Sequence, residues 1–131
     1  MKTYFIDANV YLRFFLQDNK EQAERAKRYF TDAQAKRVKI VVTPEMLIEV
    51  NYVLRSVYKI SHERVSKILL HIAQTPYFSI VDCKIVLPAL GIYQKIDIDI
   101  EDIILYVRAT QAMAEVLSFD DDFRVLQKKF G

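Results

Sequence analysis

Short apolar runs alternate with longer amphipathic stretches along this chain. Four runs are rich in β-branched and aromatic residues and predict strands, at residues 3–6, 39–43, 78–81 and 116–118. The stretches between them carry apolar residues at helical spacing. Strands that alternate with helices are typical of parallel βαβ units. We therefore predict an α/β protein, a three-layer α/β/α sandwich with a short, mostly parallel central sheet.

Capping residues and prolines indicate where the helices begin. Asn9 can cap a first helix that continues, with a break near residues 18–19, to about residue 35. Thr43 precedes Pro44, a residue favoured in the first helical turn, and this pair predicts a helix to about residue 58. The remaining helices are predicted to start at Ser61, at about residue 85, at Asp99 and at Asp120.

Length and composition exclude several classes of protein. The 131 residues are 52% hydrophobic and 27% charged, which is typical of an ordinary globular chain, so we expect one domain over residues 1–131. Cys83 is the single cysteine, which excludes an intramolecular disulfide and favours a reducing compartment. Two glycines are too few for a glycine-rich phosphate loop. No apolar stretch suits a signal peptide or a membrane span, so we expect a cytoplasmic protein without membrane contact.

The small net charge of +2 hides an uneven distribution. Residues 97–122 hold eight acidic residues and one basic residue, a net charge of −7. The rest of the chain holds eighteen basic and nine acidic residues, a net charge of +9. Exposure on a solvated helix face is enough to explain why any single lysine or arginine occurs at its position. The pattern as a whole indicates an anionic site inside a cationic surround.

Four acidic residues are predicted to converge at one edge of the sheet. Asp7 follows the first predicted strand and Asp120 follows the last, and ligands of open α/β sheets bind beyond the carboxyl ends of strands. Glu49 and Asp102 lie beside the apolar stripes of two predicted helices. A carboxylate next to a core-facing stripe is costly unless something compensates its charge.

Structural roles compete with this interpretation for some of the acids. Asp99 suits a helix N-cap, and Glu45 and Asp102 suit first-turn positions where a negative charge favours the helix dipole. Asp121 and Asp122 suit solvent-facing or capping positions. Asp7 has few ordinary structural reasons to end a buried strand. Taken together, the four acids on one rim favour a functional site.

A cluster of carboxylates implies a cation. Like charges within a few ångströms raise one another's pKa values unless a cation neutralises them. Oxygen ligands without His or Cys favour Mg²⁺ or Mn²⁺. Such an ion can orient a water molecule, lower its pKa and stabilise charge on a phosphate. Because surrounding bases can hold the backbone of a polyanion, the pattern indicates hydrolysis of a phosphodiester.

The motifs resemble those of PIN domains, and the layout is similar to that of stand-alone VapC-type toxins. Four segments carry the resemblance in the expected order, at residues 5–10, 43–55, 99–105 and 116–123. The four acids of the family's site then fall on Asp7, Glu49, Asp102 and Asp120. Auxiliary positions fall on Asn9, Asp99 and Ser118. The chain departs from the family's pattern before the last strand, where the usual glycine is missing.

The resemblance implies a Mg²⁺- or Mn²⁺-dependent endoribonuclease in which Asp7, Glu49, Asp102 and Asp120 hold the metal and its waters. Attack by water would leave a 5′-phosphate and a 3′-hydroxyl. The resemblance also implies a homodimer and a small antitoxin that covers the site. From the charge pattern, our candidates for contacts with RNA phosphates are Arg25, Lys27, Arg28 and Lys36.

Other classes of protein fit the residues less well. A haloacid-dehalogenase-type phosphatase needs a second acid two residues after the first, and that residue is Asn9. A phospho-receiver domain could use Asp82, but the chain lacks paired acids near the first strand and a lysine near the last. A catalytically silent PIN-like RNA-binding or scaffold protein is the main alternative. The presence of all four acids argues against it.

Overall fold

The computed structural model describes all 131 residues and contains one sheet of three parallel strands. The strands are β1 (Lys2–Phe5), β2 (Val38–Val42) and β3 (Phe78–Ile80), in the spatial order β1-β2-β3. Ile40, Val41 and Val42 are all buried, although successive side chains of a strand point to opposite faces. Both faces of the central strand are therefore covered, which confirms the predicted α/β class.

Seven helices surround this sheet. They are α1 (Ala8–Leu16), α2 (Lys20–Gln34), α3 (Pro44–Tyr52), α4 (His62–Ala73), α5 (Cys83–Lys95), α6 (Ile100–Gln111) and α7 (Asp122–Phe130). The predicted break after the first helix is confirmed, because Gln17 adopts a left-handed conformation and Asn19 caps α2. None of the helices has both the length and the apolar character that crossing a bilayer requires.

The caps show where local sequence signals succeed and where they fail. Thr43 and Ser61 cap α3 and α4 as predicted, since their hydroxyls accept backbone hydrogen bonds at 3.2 and 3.3 Å. Asn9 does not cap α1, because the helix begins one residue earlier and Asp7 occupies the preceding position. Asp99 precedes α6 as predicted, but its side chain accepts no capping hydrogen bond. The carboxylates of Asp7 and Asp99 therefore do not serve as helix caps.

A chain of polar contacts ties α3 to α5 and runs from the buried Asn51 and Tyr93 to the exposed Asp97. The Tyr93 hydroxyl donates to Asn51 Oδ1 at 2.7 Å and accepts from the Arg55 guanidinium at 3.2 Å. Arg55 lies in a π-helical turn (Val53–Val57) that continues α3, and it also donates twice to the Asp97 carboxylate, at 2.7 and 3.1 Å. The hydrogen bonds from Arg55 lower the pKa of Asp97. This chain of contacts fixes the backbone just before α6 begins.

The prediction of a fourth strand at residues 116–118 is wrong. Residues 114–120 have no regular secondary structure, and residues 115–120 make no backbone–backbone hydrogen bond. Leu126 is fully buried and α7 packs against α6, so both ends of this segment are held on the same side of the molecule. The segment lines a cavity of about 680 Å³ beside α6. β1 is consequently a free edge of the sheet.

Candidate metal centre

Three carboxylates meet where α6 and α7 begin. Oxygen atoms of Asp102, Asp120 and Asp122 all lie within 4.8 Å of one another. Asp102 is half-buried in the first turn of α6, next to the fully buried Ile103. Asp120 precedes α7, and Asp122 is its first residue. We call these three residues the acidic cluster.

Local hydrogen bonds shape the part of the acidic cluster that precedes α7. The backbone N–H of Asp122 donates to the Asp120 carboxylate at 2.9 Å. The backbone N–H of Asp120 donates to the Ser118 hydroxyl at 3.0 Å. Ser118, predicted as an auxiliary residue, therefore holds the backbone of Asp120 and positions its carboxylate indirectly.

The negative charge of the acidic cluster has no cationic partner within the protein. None of the six ion pairs includes a residue of the acidic cluster. Arg108 is the one basic residue in residues 97–122, and it pairs with Asp82 at 3.1 Å instead. Burial raises the pKa of Asp102, and the charges of Asp99, Asp120, Asp122 and Glu101 raise it further. A divalent cation would relieve this repulsion.

The donor set fits a hard divalent ion. Mg²⁺ binds oxygen ligands at about 2.0–2.1 Å in octahedral geometry, so two of its ligand atoms lie about 3–4 Å apart. The ligand atoms of the acidic cluster all lie within 4.8 Å of one another, close to that range. All three donors are carboxylates, which suit Mg²⁺ or Mn²⁺. Asp102, Asp120 and Asp122 are the residues that would hold such an ion.

Two of the four predicted site acids lie outside the acidic cluster. Asp7 is exposed after β1, and Glu49 is exposed on α3. Neither belongs to the group of carboxylates within 4.8 Å, and neither forms an ion pair. The structure therefore brings Asp102 and Asp120 together, and the convergence of Asp7 and Glu49 with them stays a prediction.

Asp122 belongs to the acidic cluster, although the sequence analysis does not count it among the candidate site acids. Its position suggested solvent exposure or capping, whereas the structure places it among the acids that face Asp102. The available signal was its spacing from Asp120. A carboxylate often accepts a hydrogen bond from the backbone two residues later, and this turn brings the second acid back towards the first.

The four basic candidates do not share one surface. Arg25, Lys27 and Arg28 are exposed on α2, and Arg25 lines a small cavity of about 200 Å³ together with Asn9. Of the four candidates, Arg25 is thus the one that shares a cavity with Asn9, two residues after Asp7. Lys36 lies beyond the end of α2 and precedes β2, at the amino ends of the parallel strands, whereas Asp7 follows the carboxyl end of β1.

The fold and the acidic cluster define an α/β domain with a carboxylate site suited to a divalent ion. The model of the PIN domain family matches residues 4–129, and the chain belongs to that family. PIN domains are typically metal-dependent nucleases, and PIN nucleases bind RNA. No curated protein and no solved structure gives a significant match to this chain. The predicted family is confirmed, and the likeness to VapC-type toxins stays a prediction.

We predict that Asp102→Asn melts at or above the wild-type temperature in EDTA. The substitution removes a charge that is partly desolvated and repelled by its neighbours. In the folded protein the pKa of Asp102 lies above its ordinary value of 3.8, so its charged carboxylate lowers the stability of the wild type as pH rises through that raised pKa. The difference in melting temperature between the wild type and Asp102→Asn should therefore shrink as pH falls towards 3.8. Added Mg²⁺ should stabilise the wild type by about 2.7 kcal/mol at 100 times its dissociation constant, and the variant less.

Asp121→Asn is the matched control for this measurement. Asp121 lies in the same run of acids, but it pairs with Arg124 at 3.5 Å on the surface and does not contribute to the raised pKa of Asp102. We expect this variant to stay within about 0.5 kcal/mol of the wild type. A wild type that gains no thermal stability from Mg²⁺ or Mn²⁺ contradicts the metal site.

Proposed function

We propose that this protein is a Mg²⁺- or Mn²⁺-dependent endoribonuclease and the toxin of a type II toxin–antitoxin pair, acting as a homodimer. The observation that carries the enzymatic part is the acidic cluster, with three carboxylates within 4.8 Å and no cationic partner. Membership in the PIN domain family supports the same activity. The reaction would be hydrolysis of an RNA phosphodiester bond.

The residues of the chain have distinct proposed roles. A bound divalent ion supplies a water of lowered pKa and neutralises charge on the phosphate. Asp102, Asp120 and Asp122 provide oxygen ligands, and Ser118 supports Asp120 through its backbone. The resemblance to VapC-type toxins adds further acids and auxiliary side chains to this site: Asp7, Glu49, Asn9 and Asp99.

Cleavage of labelled RNA by the purified protein tests the activity. We expect cleavage with Mg²⁺ or Mn²⁺ and none in EDTA. Asp102→Asn should lower the rate by about 100-fold or more, a loss typical for removal of one group that stabilises the transition state. Asp121→Asn should cleave at the wild-type rate.

The alternative function is a catalytically silent PIN-like RNA-binding or scaffold protein. It predicts that the wild type binds RNA but releases no product with any divalent ion. Binding of RNA without cleavage by a correctly folded wild type would therefore contradict the proposed nuclease.

RNA binding should depend strongly on salt and on Arg25. Each phosphate contact releases counterions, so the affinity should fall steeply between about 50 and 200 mM salt. Arg25→Ala should weaken binding more than Lys36→Ala, because Arg25 shares a cavity with Asn9 near the carboxyl end of β1, whereas Lys36 lies at the amino ends of the strands. Fluorescence anisotropy with metal-free protein measures both the salt dependence of RNA affinity and the loss of affinity in each variant. Equal losses of RNA affinity in the two variants would show that RNA binds a surface other than the one around Arg25.

A small antitoxin is proposed to place an Arg or Lys side chain against the acidic cluster. The uncompensated charge of Asp102 and Asp120 supports this mode of binding, because a basic side chain would relieve their repulsion. The double variant Asp102→Asn, Asp120→Asn should bind a co-purified antitoxin more weakly by about 2 kcal/mol or more. Unchanged affinity in a binding titration would show that the partner recognises another surface.

A further inference from the structure

The cavity beside α6 has the size and the lining of a binding site for a small heteroaromatic group. Its volume of about 680 Å³ lies within the roughly 300–1,000 Å³ that is typical of ligand sites. Fewer than half of the residues that line it are hydrophobic. Such a lining suits a ligand with apolar faces and hydrogen-bonding edges, and it disfavours a purely apolar segment of another protein.

Two helix faces and the chain between them enclose this cavity. On each helix the lining residues are spaced by three and four positions, so they share one face of the helix. They are Tyr106, Ala109 and Thr110 on α6 and Arg124, Gln127 and Lys128 on α7. The Thr110 hydroxyl and the Gln127 amide can each donate and accept hydrogen bonds. The two helices therefore offer polar groups that can recognise the edge of a bound ring.

Three aromatic rings line the cavity without a ring partner. They belong to Tyr106, Phe119 and Phe123, and none of them takes part in the seven aromatic pairs of the protein. Phe119 is fully exposed, which is unfavourable for an apolar ring. Tyr106 is only 6% exposed, and its hydroxyl is buried without a hydrogen-bond partner, which is also unfavourable. A planar ring with polar edges can cover Phe119 and offer Tyr106 a hydrogen-bond partner.

The cavity also carries charged groups that suit a phosphate-bearing ligand. It borders the acidic cluster, because Asp120 belongs to both. Lys128 lines the cavity and takes part in none of the six ion pairs, so its ammonium group is free to contact a phosphate. Arg124, in contrast, pairs with Asp121 at 3.5 Å. A ligand in the cavity would therefore lie between a free cation and the residues that would hold the divalent ion.

We propose that this cavity binds one unpaired nucleobase of the RNA substrate, beside the acidic cluster. The base stacks on Phe119, Thr110 or Gln127 contacts its edge, and Lys128 contacts a neighbouring phosphate. Unpaired RNA bases can be splayed out and stacked on aromatic side chains, whereas the bases of a duplex are held in their pairs. The inference rests on the proposed nuclease function for the identity of the substrate, and it adds a preference for single-stranded RNA.

Binding of nucleotides to the metal-free protein tests the pocket without any cleavage. Adenosine and uridine 5′-monophosphate represent the two classes of base, and ribose 5-phosphate carries the sugar and phosphate alone. In an NMR titration of isotope-labelled protein, at least one nucleotide should shift the amide signals of Thr110 and Arg124. It should bind about five-fold or more tightly than ribose 5-phosphate, because stacking of the base adds to the affinity. Equal affinities for all three compounds, or shifts confined to other surfaces, would overturn the proposal.

Variants of single residues separate the contribution of the base from that of the phosphate. Phe119→Ala should abolish the preference for the nucleotide over ribose 5-phosphate and leave circular dichroism unchanged, because Phe119 is fully exposed. Lys128→Ala should weaken both compounds alike, since both carry the phosphate. Phe5→Ala is the matched control, because Phe5 is also an exposed ring, 71% accessible, and does not line the cavity. A Phe119→Ala variant that keeps the wild-type preference contradicts the pocket.

The pocket and the proposed function can fail separately. A wild type that binds nucleotides through Phe119 but cleaves no RNA supports the pocket and contradicts the nuclease. Cleavage of an RNA hairpin gives the converse test, and we expect cuts in the unpaired loop and not in the stem. A wild type that cuts the paired stem as fast as the loop contradicts the pocket and leaves the nuclease in place.

Discussion

Parallel pairing of the three strands is the constraint on which the rest of the structure depends. Parallel neighbours cannot be joined by a tight turn, so helices must cross over between them, and α1 and α2 connect β1 to β2 while α3 and α4 connect β2 to β3. These helices bury Ile40, Val41 and Val42 on both faces of β2. The same parallel pairing puts the carboxyl ends of all three strands on one side of the sheet, where Asp7 follows β1.

Packing of α6 holds like charges together. Ile100, Ile103 and Val107 are buried along one side of the helix, and the chain of contacts from Asn51 to Asp97 fixes the backbone that leads into it. Asp102 is therefore held beside the start of α7 although burial, and then the charges of its acidic neighbours, raise its pKa. Hydrophobic burial of α6 thus holds the carboxylates of the acidic cluster together, and a divalent cation would neutralise their charge. This connects the fold to the proposed chemistry.

Asp102 and Asp120 carry a local sequence signal, whereas the place of Asp122 depends on how α6 and α7 pack. Asp102 and Asp120 were predicted, and the structure brings them together. Asp122 was missed because its position depends on the turn before α7 and on the approach of α7 to α6. The convergence of Asp7 and Glu49 with these acids stays a prediction, since neither residue belongs to the acidic cluster.

Most helices and strands follow from the amino-acid sequence alone, because apolar periodicity and caps such as Thr43 and Ser61 involve only neighbours along the chain. The same signals identified residues 116–118 as an apolar, strand-forming run. Whether that run pairs with a sheet edge was decided by the tertiary structure. Residues 115–120 make no backbone–backbone hydrogen bond, and the hydrogen bonds of a strand come from residues distant in sequence, which local signals do not specify.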